Sequence, residues 1–196
     1  YRVNAGGPEV VDPDTTEIWR ADAGFDTSEG SHAAGPTEGV IAGSNNPMYK
    51  TERWNGANFT YRFPLTPGIY DVVLHFAEFV YPDPCPAQQR VFNVRVQNDL
   101  VLENLNIVEE VGFLTAHVVE IKGVEVSGEV GATAHLGIVL EKIPDDGIGP
   151  CGAGDSYENP KISGIELLRA GARVAPIARG ACTDDGKVAI SAGICI

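Results

Sequence analysis

The chain has 196 residues, 23 glycines and 13 prolines, and a formal net charge of −13. This length fits one domain with many turns, and a charged fraction of 21% is too low for a disordered acidic tail. The acidity argues against nucleic acid as a partner and against anionic membranes, and no apolar run is long enough to predict membrane insertion. Because the chain begins with Tyr1 rather than methionine, we expect a processed product or a module of a larger protein.

Trp54, one of two tryptophans, is predicted to lie on a loop. It follows a polar run, and the Asn-Gly-Ala-Asn sequence at 55–58 indicates a turn before a strand. An indole on a loop offers a flat apolar face and one N–H donor, which suits a ligand with both apolar and polar surfaces. The alternative is a half-buried side chain that caps one end of the fold. The other tryptophan, Trp19, is expected to pack within the N-terminal loop.

Alternation of polar and apolar residues predicts strands through the middle of the chain. The run 70–77 places Val72, Leu74 and Phe76 on one face, and residues 90–96 alternate in the same way. Helical patterns are nearly absent. Many short strands separated by glycine- and proline-rich turns predict an all-β protein, a β-sandwich with jelly-roll topology.

The remaining strands follow from the same alternation. Asn98 and Asp99 indicate a tight turn into a strand at 100–102, which predicts a hairpin with the strand before it. Further strands are expected at 59–63, 116–122, 133–140 and 161–169. The segment 142–160 is long and irregular, which is typical of functional loops. Since the pattern weakens from Arg169, we expect a domain at 1–169 and a C-terminal extension or connector hairpin at 170–196.

Four cysteines, Cys85, Cys151, Cys182 and Cys195, occur without a CxxC pair, so a zinc site is not expected. Cysteines on loops indicate disulfides and an oxidising compartment. We expect the pairs Cys85–Cys151 and Cys182–Cys195, although the sequence leaves the pairing open. Asn58 begins an Asn-Phe-Thr sequon for N-glycosylation, which agrees with an extracellular or secretory-pathway location.

Five separated motifs give the chain a resemblance to a known family. They are VNAGG at 3–7, YKTERW at 49–54, GIYDVVLHFAE at 68–78, QRVFNV at 89–94 and NPKISGI at 159–165. In this order they resemble the malectin-type carbohydrate-binding domain over residues 2–168. The resemblance implies a galactose-binding-like sandwich that is lectin-like and non-catalytic. It also implies an oligosaccharide or glycoprotein glycan as the partner, and attachment to other domains of a parent protein.

The resemblance also implies which residues surround the sugar. Trp54 stands where the family has a tyrosine, and Tyr81 stands at the second position of an aromatic pair whose first member is Val80 here. Phe25 matches an early aromatic loosely. Tyr157 precedes the position that matches the family's acidic residue. Aromatic rings bury the C–H-rich faces of sugars, so these side chains are candidate walls of the site.

Carboxylates are the candidate acceptors for sugar hydroxyls, because charge-assisted hydrogen bonds are the stronger ones. Glu158 replaces the family's aspartate and reaches one methylene further, and Asp83 is a second candidate. A Cys85–Cys151 disulfide would tie the Tyr81 loop to the Glu158 loop and reduce the entropy lost when the loops become ordered.

Other interpretations remain open at this point. Glu78 and Glu158 would be the pair for glycoside hydrolysis, but no catalytic motif accompanies them, so an enzyme is not expected. A structural module of an extracellular array with a degraded sugar site is the main alternative, since Val80 replaces an aromatic residue.

Two further assignments concern charged residues. Structural calcium would need oxygen ligands, but the available aspartates lack EF-hand spacing and are expected to be solvated turn residues. The available aspartates are Asp12, Asp14, Asp145, Asp146, Asp184 and Asp185. No other cofactor is expected. Four other charged residues are expected to be structural and paired across strands at the sheet margin, namely Glu52, Arg53, Glu78 and Arg90.

Overall fold

The computed structural model describes residues 1–26, 32–35, 37–82, 90–129, 131–143 and 159–171. It describes the backbone alone of 88–89, 148–149, 152–153, 156–158, 181–182 and 188–189. The strands are β1 (Arg2–Asn4), β2 (Val10–Val11), β3 (Ile18–Trp19), β4 (His32–Ala34), β5 (Glu52–Trp54), β6 (Phe59–Leu65), β7 (Gly68–Phe76), β8 (Gln88–Arg90), β9 (Phe92–Val96), β10 (Asp99–Leu105), β11 (His117–Val126), β12 (Ala134–Lys142), β13 (Ile148–Gly149), β14 (Gly152–Ala153), β15 (Ser156–Glu158), β16 (Lys161–Ile162), β17 (Gly164–Arg169), β18 (Ala181–Cys182) and β19 (Val188–Ala189).

Two antiparallel four-stranded sheets form the sandwich. One has the order β1-β17-β7-β11 and the other β10-β9-β12-β6. The all-β sandwich prediction is therefore confirmed. A 3-10 helix (Pro47–Lys50) and α1 (Ile107–Val111) are the helices of the described part of the chain. In that part, no helix has the length and hydropathy required to cross a membrane.

The core lies between the two sheets and follows the predicted alternation. Val72, Leu74 and Phe76 of β7 have no exposed surface, and Phe59 and Tyr61 of β6 face them from the other sheet with none. Each such side chain contributes about 1.5–3 kcal/mol of hydrophobic stabilisation relative to an exposed one. The predicted hairpin is also confirmed, because β9 and β10 pair in antiparallel fashion around a tight turn.

The outer face of β7 is covered by a second layer. Val73 and His75 point away from the core, yet they are only 9% and 7% exposed. A smaller apolar cluster, mainly from the N-terminal third of the chain, includes Trp19, Met48 and Tyr49, and Trp19 and Tyr49 make ring contacts with His75. One sheet of the sandwich is thus partly buried on both faces, which a strict two-residue alternation does not predict.

Trp19 lies on β3 in this second layer and packs against β7, whereas the sequence predicted packing within the N-terminal loop. Its indole is 3% exposed and meets the His75 ring edge-on, with ring centroids 4.9 Å apart. Gly164 of β17 lies directly beneath. A Cβ at this position would stand 2.5 Å from the Met48 sulfur and 2.8 Å from Cζ3 of Trp19, so only glycine allows the layer to approach so closely.

A polar network crosses the covered face of the sheet. The Tyr49 hydroxyl lies 2.7 Å from His75 Nδ1, and Glu166 Oε1 lies 3.1 Å from His75 Nε2. Arg2 Nε donates to Glu166 Oε2 at 2.7 Å. Burial raises the pKa of Glu166, but the hydrogen bonds and positive charges of His75 and Arg2 outweigh burial and leave that pKa below its usual value.

A Glu166→Gln variant is expected to be less stable by about 1–3 kcal/mol at neutral pH, because partners of a mostly buried carboxylate are left unsatisfied. Since the folded-state pKa of Glu166 is depressed, its contribution is present above the unfolded value of 4.5 and is lost as pH falls through the folded value. The midpoint of thermal unfolding of the variant should therefore fall less steeply below pH 4.5 than that of the unchanged protein. Glu103→Gln, at an exposed position of β10, is the control. Parallel pH profiles for all three proteins would contradict this role of Glu166.

Candidate functional site

Trp54 lies at the end of a strand, so the prediction of a loop position for it is wrong. Its backbone pairs with His32 of β4 on one side and with Lys161 of β16 on the other. The strand β5 has three residues, and its buried members Glu52 and Arg53 are charged. So short and polar a strand has no apolar alternation by which it could be recognised. The Trp54 side chain itself is half-buried.

His32 stacks against Trp54 across the strand pair. The ring centroids are 4.8 Å apart with an interplanar angle of 34°, and His32 is exposed. The two rings are tilted toward each other, so His32 covers part of the Trp54 ring. Sequence reasoning did not assign His32 to the site, because it lies in a segment of small residues whose contact with Trp54 depends on long-range strand pairing.

Arg53 points to the opposite face of β5 from Trp54, as neighbouring residues on a strand do. Its Nε donates to Asp22 Oδ2 at 2.5 Å, and its guanidinium lies 3.5 Å from the centroid of the Phe25 ring. The Phe25 ring also meets Tyr61 of the core, with centroids 6.2 Å apart. The contacts of Phe25 are therefore made with Arg53 and the core, on the side of β5 away from Trp54.

Four buried charged residues, among them Glu52 of β5 and the Lys161 that pairs with Trp54, contact one another, and we refer to Glu52, Glu78, Arg90 and Lys161 as the charge quartet. Their exposed fractions are 1%, 1%, 6% and 0%. Arg90 Nη2 lies 3.2 Å from Glu52 Oε1, and Arg90 Nε lies 2.9 Å from Glu78 Oε2. Lys161 forms an ion pair with Glu52 and lies 3.8 Å from Glu78 Oε1. Two positive and two negative groups thus balance one another without solvent.

The quartet changes the sequence prediction in two respects. Glu52, Glu78 and Arg90 were expected to pair across strands, and this is confirmed, but they are buried rather than marginal. Lys161 was not assigned at all. Burial lowers the pKa of Lys161, and the nearby carboxylates of Glu52 and Glu78 oppose that shift only in part. A buried lysine in an NPK motif has no local pattern that distinguishes it from an exposed one.

Glu78 holds the backbone of the segment that follows β7. Its Oε1 accepts hydrogen bonds from the backbone N–H groups of Val80 at 2.8 Å and Tyr81 at 3.2 Å. Lys161 Nζ donates to the Ala77 carbonyl at 2.5 Å. Both carboxylate oxygens of Glu78 are engaged and the residue is 1% exposed, so Glu78 is not available as a general acid or base for a substrate.

The cations of the quartet lie against the aromatic residues of this segment. Lys161 Nζ is 4.0 Å from the centroid of the Phe79 ring, and Cζ of Arg90 is 5.1 Å from the centroid of the Tyr81 ring. Arg90 Nη1 also donates to the Asn159 carbonyl at 2.6 Å. The quartet therefore connects three elements, β5 with Trp54, the segment 79–81, and the chain around Asn159.

Other predicted site residues are described in part or not at all. Tyr157 and Glu158 belong to β15, which pairs with β8 so that Glu158 lies opposite Arg90 in the backbone register. Their side chains lie outside the described residues, as does Asp83. The same holds for the predicted disulfides, because Cys182 is described by its backbone alone and the other three cysteines are not described.

Asn58, the predicted glycosylation position, has an exposed side chain whose Oδ1 accepts a hydrogen bond from the Lys142 backbone N–H at 2.9 Å. Asp12 and Asp14 are the two calcium candidates that the structure describes. Asp12 caps a turn by accepting from the Asp14 N–H at 2.9 Å, and its other oxygen accepts from Asn46 at 3.2 Å. Within the described ranges, no group of three or more His, Cys, Asp or Glu side chains is arranged for a metal ion.

The chain is similar to known proteins in sequence and in fold. The family model for the malectin domain matches residues 1–165. Malectin from Homo sapiens is 31% identical over 191 residues, with 84% of this chain and 58% of that protein covered. Malectin-B from Xenopus laevis is 33% identical over 130 residues, with 62% of this chain and 42% of that protein covered. The chain thus spans about half the length of the curated relatives it matches.

Solved structures show the same fold at low sequence identity. The ANX2 ectodomain from Arabidopsis thaliana matches with a TM-score of 0.69 and 18% identity, over 86% of this chain and 49% of that one. A β-glucuronidase from Bacteroides uniformis matches with a TM-score of 0.64 and 17% identity, over 86% of this chain and 18% of that one. At these identities the similarity concerns the fold alone.

Proposed function

Because the chain belongs to the malectin domain family, whose members are carbohydrate-binding and non-enzymatic domains, we propose that it is a lectin-like module that binds a neutral oligosaccharide. The observation that carries this proposal is the half-buried Trp54 ring, which packs against His32 with ring centroids 4.8 Å apart and whose strand is tied by the charge quartet to the segment of Tyr81. A partly exposed indole offers an apolar face on which a sugar ring can pack, and polar groups of other segments supply hydrogen bonds.

The binding chemistry combines stacking with hydrogen bonds. The C–H-rich face of a sugar ring packs on the Trp54 indole, and Tyr81 supplies a second wall. Glu158 and Asp83 accept hydrogen bonds from the hydroxyl groups, and Tyr157 borders Glu158. Phe25 is a further predicted contact, and its described contacts are with Arg53 and Tyr61.

The wider setting is part of the same proposal. Residues 1–169 form the binding domain and residues 170–196 an extension or connector within a larger secreted or cell-surface protein. The pairs Cys85–Cys151 and Cys182–Cys195 and a glycan on Asn58 would accompany passage through the secretory pathway. The exposed position of the Asn58 side chain supports this modification.

A structural module of an extracellular array is the second candidate function. Val80 stands where the family resemblance implies an aromatic residue, and its side chain is exposed at 46%. An apolar aliphatic residue at the rim would weaken stacking without disturbing the fold. This candidate predicts an intact sandwich that binds no sugar.

The test is binding of the oxidised protein to an array of neutral oligosaccharides, followed by calorimetric titration with maltose, cellobiose and laminaribiose. We expect saturable binding to glucose-containing glycans. The proposal would be contradicted if the protein shows a thermal unfolding transition, and is therefore folded, but binds no neutral glycan. That result would favour the structural module.

A further inference from the structure

The buried charge of Glu78 calls for an explanation beyond stability. A carboxylate that is 1% exposed is costly to bury, and buried ion pairs can often be replaced by apolar residues without loss of stability. In this chain the carboxylate does more than neutralise Arg90, because its Oε1 accepts from two consecutive backbone N–H groups, those of Val80 and Tyr81. An apolar side chain would leave both N–H groups without this acceptor.

The bonded segment carries one of the candidate site residues, Tyr81. Tyr81 lies three positions after Glu78, and its ring is 5.1 Å from Arg90, which is the partner of Glu78 in the quartet. Phe79 lies over Lys161 in the same way, at 4.0 Å. One carboxylate therefore fixes the backbone of the segment and also holds a cation beneath one of its rings.

We propose that Glu78 is a positioning residue for carbohydrate binding, which holds residues 79–81 in one conformation so that the Tyr81 wall is formed before the sugar arrives. This inference rests on the proposed function above. A wall that is already ordered raises affinity, because less conformational entropy is lost when the ligand binds.

Two substitutions at this position separate geometry from charge. Glu78→Asp keeps the negative charge of the quartet but withdraws the carboxylate by one methylene from the N–H groups of Val80 and Tyr81. Glu78→Gln keeps the length and an oxygen acceptor but removes the charge that faces Arg90. If Glu78 were merely structural, the charge-deleting variant would be the worse one in both stability and binding. The proposal expects Glu78→Gln to be the less stable variant and Glu78→Asp to be the weaker binder.

The first readout is amide hydrogen exchange of the whole chain without sugar. Glu78→Asp should speed exchange at residues 80 and 81 by about tenfold or more, the factor that corresponds to loss of a charge-assisted hydrogen bond. Glu52→Gln is the matched control, since it removes a charge from the same quartet without touching the 79–81 backbone, and exchange there should not change. Unaltered exchange at 80 and 81 in Glu78→Asp would overturn the inference.

The second readout is calorimetric affinity for whichever of maltose, cellobiose or laminaribiose the unchanged protein binds. Affinity should fall about tenfold in Glu78→Asp and less in Glu78→Gln, measured at a temperature where both variants are folded. Equal affinities for Glu78→Asp and the unchanged protein would overturn the role in binding while leaving the proposed function in place. If the unchanged protein binds no sugar, the proposed function fails and this role fails with it, whereas the exchange result still decides whether Glu78 orders the segment.

Discussion

A Trp54→Ala variant is expected to lose about tenfold or more in glycan affinity while the free energy of unfolding falls by only about 1 kcal/mol. Removal of a stacked indole takes away about 1.5–3 kcal/mol of apolar contact with the sugar, which corresponds to this loss of affinity. The cost to the fold is small because Trp54 is half-buried and belongs to neither of the apolar clusters in the described core. Glycan titration and urea unfolding measure the two effects separately.

Two controls sharpen this comparison. Val118→Ala removes an exposed apolar side chain, 52% exposed, from β11 and should change neither affinity nor stability appreciably. His32→Ala removes the ring that stacks on Trp54 and should weaken binding by less than Trp54→Ala, because the larger indole surface remains. A drop in unfolding free energy of several kcal/mol in Trp54→Ala, with affinity retained, would show that Trp54 caps the fold and does not contact sugar.

The sandwich could be predicted from sequence because its main strands carry local patterns. The run 70–77 predicted β7, which the structure places at Gly68–Phe76, and the run 133–140 predicted β12, which spans Ala134–Lys142. Side-chain alternation and turn residues act over a few positions, so they can be read without knowledge of the partner strand. The hairpin of β9 and β10 was predictable for the same reason.

The covered face of β7 could not be predicted in this way. Val73 and His75 occupy positions that alternation assigns to solvent, yet both are buried, and the His75 ring is covered by Trp19 and Tyr49 of the second layer. That layer comes from a distant, turn-rich part of the chain. Tertiary packing therefore overrides the local pattern at these two positions.

The candidate site was predictable only where a motif pointed to it. The aromatic residues Trp54 and Tyr81 were identified by family resemblance, and the structure connects their two segments through the charge quartet. His32 and Lys161 were not identified, because each depends on pairing between segments far apart in sequence. Local sequence gives the types of these residues but not their partners, and the partners determine what the residues do.

Replacement of Lys161 by methionine is expected to be the most destabilising single change, with a loss of about 3–5 kcal/mol in the free energy of unfolding. Methionine fills a similar volume but leaves Glu52 and Glu78 with Arg90 alone, so one buried negative charge is uncompensated. The Ala77 carbonyl also loses the hydrogen bond from Lys161. Urea unfolding followed by tryptophan fluorescence measures the effect.

The double variant Lys161→Met with Glu52→Met tests whether charge imbalance is the cause. It leaves Arg90 and Glu78 as a neutral buried pair, 2.9 Å apart, so it should be more stable than Lys161→Met alone even though it removes a further polar group. Such a gain is a coupling energy between two contacting residues, which independent losses cannot produce. If the two substitutions instead added their losses, stability would depend on the individual contacts of each residue and not on the neutrality of the quartet.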